Sequence, residues 1–456
     1  MSVVVSKELS RMLQTEVSIR NINIGLLNRI ILDDVSICDR EGGPLLEASR
    51  MSAKFSIREL LQHRVVINNI QLYRMHLNLN RRDSLSAPNY QFLIDALSSR
   101  DTTDANTNLN LRINAVLVRH GHISYHQQDE AETPGRFNPR HLDIGELRAN
   151  ISLKALRNDS LNMTMRHLSF KEQSGFTLGN LTFKLIANTQ AATLSRFRLK
   201  LPATRLAIDT LRADYDLTSS EAWKTVHVSG AIEESSITPA DIGNLVPALS
   251  SFTAPVRLQA KLEGNTQEIS LNHFRLRSEN NDVLLNLYCR VRNPFEPERS
   301  FFDLNLPDLH VTNTGFRFLA RNLNAEVPPV LTRLGFFTFQ GSARGMLKDL
   351  RLKGVMQCAT GKVQTDLHLD LNHRLKTFQG RLQTSEFQLG TLLAHADMGR
   401  ISLDVGVKGR IAEKSYPQLA VVGDIPLMEY KQHRYDDIRI NAQYRRGYYN
   451  GTLTIN

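Results

Sequence analysis

Apolar and polar residues alternate with a period of two along almost the whole chain from Val17 onward. The clearest runs are Val283, Leu285, Leu287, Cys289 and Val291, then Leu367, Leu369 and Leu371, then Ile401, Leu403, Val405 and Val407. Successive side chains of a strand point to opposite faces, so each run predicts a ribbon that is apolar on one side and solvated on the other. The expected fold class is mainly β, and what covers so long an apolar face becomes the functional question.

Few segments carry a helical period. Leu9, Met12 and Leu13 in Ser6–Leu13 predict a short amphipathic helix capped by Ser6. Short helices are also expected at 57–62, 90–97, 238–249, 313–323 and 389–396. Strands are expected at 17–24, 29–37, 47–55, 65–72 and 74–80, and Asp39–Pro44 (DREGGP) predicts a turn. A domain boundary is placed after the polar stretch 98–108, which gives an N-terminal segment 1–108 and an elongated β segment 109–456. A break in the alternation recurs, as in Ile67-Asn-Asn-Ile70, Leu178-Gly-Asn-Leu181, Ile208-Asp-Thr-Leu211, Leu347-Lys-Asp-Leu350 and Tyr435-Asp-Asp-Ile438. Such a one-residue step moves the apolar set to the other face unless a bulge or turn absorbs it.

At 456 residues the chain exceeds the ~250–300 at which a single core stops growing, so several domains or one elongated sheet are expected. The absence of a clear linker favours the sheet. The formal charge of +10 comes from Lys and Arg scattered singly along strands, which reads as a solvated face able to meet anionic head groups. Nucleic acid is not expected, because no reader motif accompanies the charge. Cys38, Cys289 and Cys358 show no metal or redox spacing. No stretch of ~18 apolar residues occurs. The sequence stops in mid-strand at Leu453–Asn456, and a fragment is expected.

Candidate chemistry is sparse. His120, His122 and His126 are expected on one strand face, and the H-x-H pair His120 and His122 stand as candidate metal ligands against a reading as wet-side residues. Gly341-Ser342-Ala343-Arg344-Gly345 lacks the central serine of a nucleophile elbow. Asp436 and Asp437 read as turn residues. No cofactor motif is found, and an enzyme is not expected.

The stretch 17–81, VSIRNINIGLLNRIILDDVSICDREGGPLLEASRMSAKFSIRELLQHRVVINNIQLYRMHLNLNR, resembles the N-terminal part of the AsmA-like, TamB-type translocation and assembly module proteins of Gram-negative bacteria. Segments 335–371 and 378–409 resemble the glycine-punctuated middle parts of Bacteroidetes-type members. The resemblance implies a long, twisted, curved sheet forming a taco-like groove, apolar inside and polar outside. It implies a phospholipid ligand, a place on the periplasmic side of the inner membrane through an anchor helix that this sequence lacks, and a possible TamA-type outer-membrane barrel as partner. The residues expected to line the groove are Leu181, Phe183, Leu185, Phe197, Leu199, Leu201, Val283, Leu285, Leu287, Val291, Leu367, Leu369, Leu371, Ile401, Leu403, Val405 and Val407. Two sheets closed into sandwiches would show the same alternation. The rival function is a scaffold that adds unfolded outer-membrane strands to its sheet edge.

Overall fold

The structure is a computed structural model that describes the chain except for residues 1, 26–28, 56–66, 94–113, 158–159, 220, 347, 372–374, 413–414 and 456. The expected helix 57–62, the polar stretch 98–108 with its domain boundary, and all but the start of the expected helix 90–97 lie outside the described residues. The chain is mainly β, as the alternation predicts. It divides into two compact units, Met1–Thr210 with Thr238–Ser250, and Leu211–Ile237 with Ser251–Asn456.

The first unit opens with helix α1 (Ser2–Leu13) and continues through β1 (Val17–Gly25), β2 (Arg29–Cys38), β3 (Pro44–Phe55), β4 (Ile67–Arg81), β5 (Ala115–Gln127), β6 (His141–Arg157), β7 (Ser160–Glu172), β8 (Thr177–Leu178), β9 (Asn180–Asn188) and β10 (Ala191–Lys200). Neighbours pair antiparallel, except that β4 and β5 run parallel. The helix begins four residues before the expected cap. Ser6 is therefore inside it, and Ser10 instead ties it to the sheet by accepting from the Val17 amide (2.9 Å). Val5, Leu9 and Leu13 pack on Val17, Ile19 and Val35. In the turn before β3, Asp39 Oδ1 accepts from the amides of Glu41 (3.0 Å) and Gly43 (2.8 Å), while Gly42 takes φ +85°.

β11 (Arg205–Asp214) contains the unit boundary. The second unit holds the four-residue helix α2 (Ala222–Thr225) and β12 (His227–Ile237), β13 (Val256–Asn265), β14 (Glu268–Ser278), β15 (Val283–Arg292) and β16 (Phe301–Thr312). Helices α3 (Asn313–Asn322) and α4 (Pro329–Arg333) follow, then β17 (Phe336–Met346), β18 (Asp349–Cys358), β19 (Gly361–Asp370), β20 (Leu375–Gln388), α5 (Leu389–Leu393), β21 (Met398–Ala412), β22 (Ser415–Tyr430), β23 (His433–Arg445) and β24 (Tyr448–Ile455). From β12 to β24 each strand pairs antiparallel with the next. The helix expected at 238–249 is instead two single 3₁₀ turns, Pro239–Ile242 and Pro247–Leu249, because the second proline interrupts the ladder of helical amides. The helix expected at 313–323 does form, and Thr312 Oγ1 caps it by accepting from the Gly315 amide (3.0 Å).

The breaks in alternation prove to be the organising device of both units. β4 is one strand and not two, because Arg74 takes φ +46° and shifts the apolar period from Leu72 to Met75 without ending the strand. The same three-residue step occurs in β1 (Ile19 to Ile22), β2 (Leu32 to Val35), β3 (Ala48 to Met51), β5 (Val118 to Gly121) and β6 (Ile144 to Leu147). Asp34, His120 and Glu146 sit in these steps with φ of 51°, 55° and 52°. Cross-strand partners stay in register from β1 to β4 through the step, which neighbours share.

In the second unit the step is mostly one-sided. β12, β14, β16 and β20 each place an extra residue opposite an uninterrupted neighbour, as a bulge does. The Asp436–Asp437 pair belongs here and not in a turn: Asp437, at φ 54°, lies inside β23, which steps together with β22. Of the other breaks, Asn68 is an extra residue of β4 against β3, Gly179 separates β8 from β9, and Lys348 lies in the turn between β17 and β18.

Candidate functional site: one apolar face per unit

Because the steps preserve the face, cross-strand register builds rows of apolar side chains. In the second unit Leu258, Leu276, Leu285, Leu309, Phe339, Met356 and Val363 are successive partners across seven strands. The next rows pass through Leu271, Cys289, Leu304, Ala343, Leu352 and Leu367, and through Ile269, Val291, Phe302, Gly345, Leu350 and Leu369. Leu367 and Leu369 continue through Gly380 to Val407 and through Phe378 to Gly409. Leu287 faces Phe274, Val283 faces Val311, and Leu403 and Val405 face Thr384 and Leu382. The residues expected from the sequence in these strands therefore share one face.

In the first unit Ile24, Ile30, Ala53, Ile70, Val116, Ile151, Met165 and Phe183 form a comparable row. Leu181 faces Leu199, Leu185 faces Leu194, and Phe197 lies in a bulge with Arg196 opposite Phe183.

What covers these rows differs along the strands. In the second unit, Leu331 and Leu334 of the α4 segment and Leu389 and Leu392 of α5 pack over Phe337, Cys358, Phe387 and Ile401. Among the described residues the buried clusters draw on successive strands, two of them with a helix segment as well, and join no two facing sheets. Away from the rim, Leu285, Leu287, Val291, Leu367, Leu369 and Leu403 are only half-buried, as are Leu181, Phe183, Leu185, Phe197 and Leu199. Leu201, Val283, Ile401, Val405 and Val407 are buried. Leu371 departs from the expectation: it follows the end of β19, is 39% exposed, and donates its amide to the Lys348 carbonyl (2.7 Å).

Glycines on the same face let neighbouring strands close up under aromatic rings. Gly341 and Gly354 are cross-strand partners beneath Phe339, and a Cβ on Gly354 would stand 2.5 Å from the Gln340 carbonyl oxygen and 2.6 Å from the Phe339 ring. Cys289 is a half-buried member of the apolar row, its thiol pushed above the ordinary range first by burial and then by Asp303.

The opposite face carries the charge. Arg351 pairs with Asp366 (3.1 Å), Arg344 with Asp303 (3.3 Å), and Arg381 grips Asp404. The Arg381 guanidinium, then Gln383, hold Asp404 below the usual carboxylate range. A cavity of about 1040 Å³ opens among Arg344, Arg351, Asp366, His368, Arg381 and Lys408. Most of these charges are matched in exposed pairs, so the cavity offers little net field to a ligand.

The expected histidine pair does not converge. His120 is exposed in the left-handed step, whereas His122 stacks on His76 (5.4 Å between rings) and reaches Asp143 (3.0 Å). Among the described residues no helix is long and apolar enough to cross a membrane.

Fold and face together define a mainly β protein whose chemistry is that of a one-sided apolar surface. Comparison with protein-family models, with curated proteins and with solved structures finds no match to this chain.

Proposed function

We propose that the chain forms the wall of a non-enzymatic lipid-transfer conduit in which phospholipid acyl chains lie along the apolar rows. The observation that carries this reading is the row from Leu258 to Val363, continuous across seven strands with several members left half-exposed. Contiguous apolar patches beyond a few hundred Å² are rare on soluble proteins unless something binds there. Each acyl CH₂ removed from water gains ~0.8 kcal/mol, so affinity accumulates over many equivalent contacts without a catalytic group. The resemblance to AsmA-like, TamB-type proteins adds the compartment to the proposal: the periplasmic side of the Gram-negative inner membrane, in support of outer-membrane biogenesis.

The test is photo-crosslinking in cells. A photoreactive residue at Leu285 or Leu369 is expected to capture phospholipid, while one at Asn286 or His368, on the charged face, captures none. Equal capture on both faces, or none at either, contradicts the reading.

The second reading is strand addition to outer-membrane clients beside a TamA-type barrel. It draws on the capacity of an unpaired strand edge to add a strand from another chain. That reading requires proline substitutions in an edge strand to abolish function while charges on the apolar rows leave it intact.

A further inference from the structure

His126 is the penultimate residue of β5, on the face opposite Ile123 and Tyr125, and the chain returns through a loop to its direct cross-strand partner His141. The two Nδ1 atoms face each other at 3.3 Å. In a tetrahedral shell with metal–nitrogen bonds of ~2.0–2.1 Å, neighbouring ligand nitrogens stand about 3.3–3.4 Å apart. Glu132, from the same loop, brings Oε1 to 3.8 Å from His126 Nδ1, and the three ligand atoms all lie within 4.8 Å of one another.

The second nitrogen of His141 supplies an independent indication. Its Nε2 is 2.9 Å from the Glu130 carbonyl oxygen, which can only accept. Nε2 therefore carries the proton, and the Nδ1 lone pair is directed at His126. A backbone carbonyl that fixes the tautomer of a buried histidine is the outer-shell arrangement found behind metal-bound imidazoles. The loop is itself held in shape: Arg140 pairs with Glu130, and Asn138 reaches the Ala131 carbonyl (3.2 Å). His141 is 5% exposed, so one ligand is fixed by packing while Glu132 can rotate to close the shell.

We propose that His126, His141 and Glu132 bind a divalent first-row transition-metal ion, zinc by ligand type, with a coordination position left open to solvent. The ion would clamp the β5–β6 loop on the charged side of the sheet, independently of whatever occupies the apolar rows.

The test uses the full chain, stripped of metal by chelation and titrated with zinc against a chromophoric chelator. Cobalt(II) is used in parallel, because its visible spectrum reports coordination number. One equivalent of zinc is expected to bind. His126→Ala and Glu132→Gln are each expected to weaken it by at least the ~10-fold that loss of even an outer-shell partner costs. Both side chains are more than one-third exposed, so these variants are expected to keep the wild-type circular dichroism. His122→Ala, whose ring stacks on His76, is expected to leave the affinity unchanged. No stoichiometric site in the unaltered chain, or undiminished zinc binding by His126→Ala, overturns the proposal.

Discussion

The opening strands of the two units keep one face apolar by different means. From β1 to β4 every strand takes its three-residue step at the same level, so ladder partners stay matched while all side chains change phase together. From β12 to β17 the strands β12, β14 and β16 step while β13, β15 and β17 run straight, so each step is a bulge of two residues against one. A shared step is a property of a whole row and cannot be removed from one strand alone. A one-sided step is local to its strand.

Single-residue deletions break this comparison most sharply. Removing Arg74 would leave Ser49 and the region of His120 without partners on both sides of β4, and is expected to cost on the order of 5 kcal/mol in denaturant unfolding or to abolish folding. Removing His273 would instead turn β14 into a regular strand, with Phe274 opposite both Ala260 and Leu287. That deletion also discards a left-handed residue, which carries a cost of about 1 kcal/mol, and is expected to change stability by no more than that. Equal losses from the two deletions would show that the steps are equivalent.

Glycines sharpen the contrast. Gly354→Val drives a side chain into the Gln340 backbone and is expected to cost about 3 kcal/mol or more. Gly145, in β6 of the first unit, has open space where a Cβ would stand, with nothing within 4 Å, and Gly145→Ala is expected to stay within about 0.5 kcal/mol. Thermal or urea unfolding measures both.

The rim helices are expected to give smaller effects than the Arg74 deletion or Gly354→Val. Thr312→Ala removes the α3 cap, an expected loss of about 1 kcal/mol. The Thr314 and Thr312 hydroxyls hold the nearby Asp282 below the usual aspartate range. A depressed folded pKa stabilises the fold above the ordinary value of about 3.9, and that contribution is lost as pH falls through the lower folded value. Asp282→Asn is therefore expected to flatten the acid limb of the stability profile slightly, which urea unfolding across that pH range measures.

Much of this design is legible along the chain, and the illegible parts have physical reasons. Val283 to Val291 and Ile401 to Val407 keep one apolar face because β15, and β21 from Ile401 to Val407, run without a step of their own, so their faces follow from period two alone. The stepped strands are harder. Arg74 reads as the start of a new strand because phase, not hydrogen bonding, is what sequence displays. The Tyr435-Asp436-Asp437-Ile438 step is visible, but a turn and a bulge favour the same residues. The parallel pairing of β4 with β5 depends on a long-range crossover. The meeting of His126 with His141 leaves no local signal either, since cross-strand register joins residues that the loop separates, whereas His120 and His122 are close in sequence and diverge in space.

The central claim is that the apolar rows are a surface for lipid. The most direct measurement is native mass spectrometry, with lipid extraction, of the chain purified in the mildest detergent that keeps it dispersed, alongside Leu285→Asp and Leu403→Asp. The account predicts several phospholipids bound per chain, with fewer on both variants at unchanged β content. A folded, monodisperse chain that carries no lipid, or full occupancy in both variants, would contradict it.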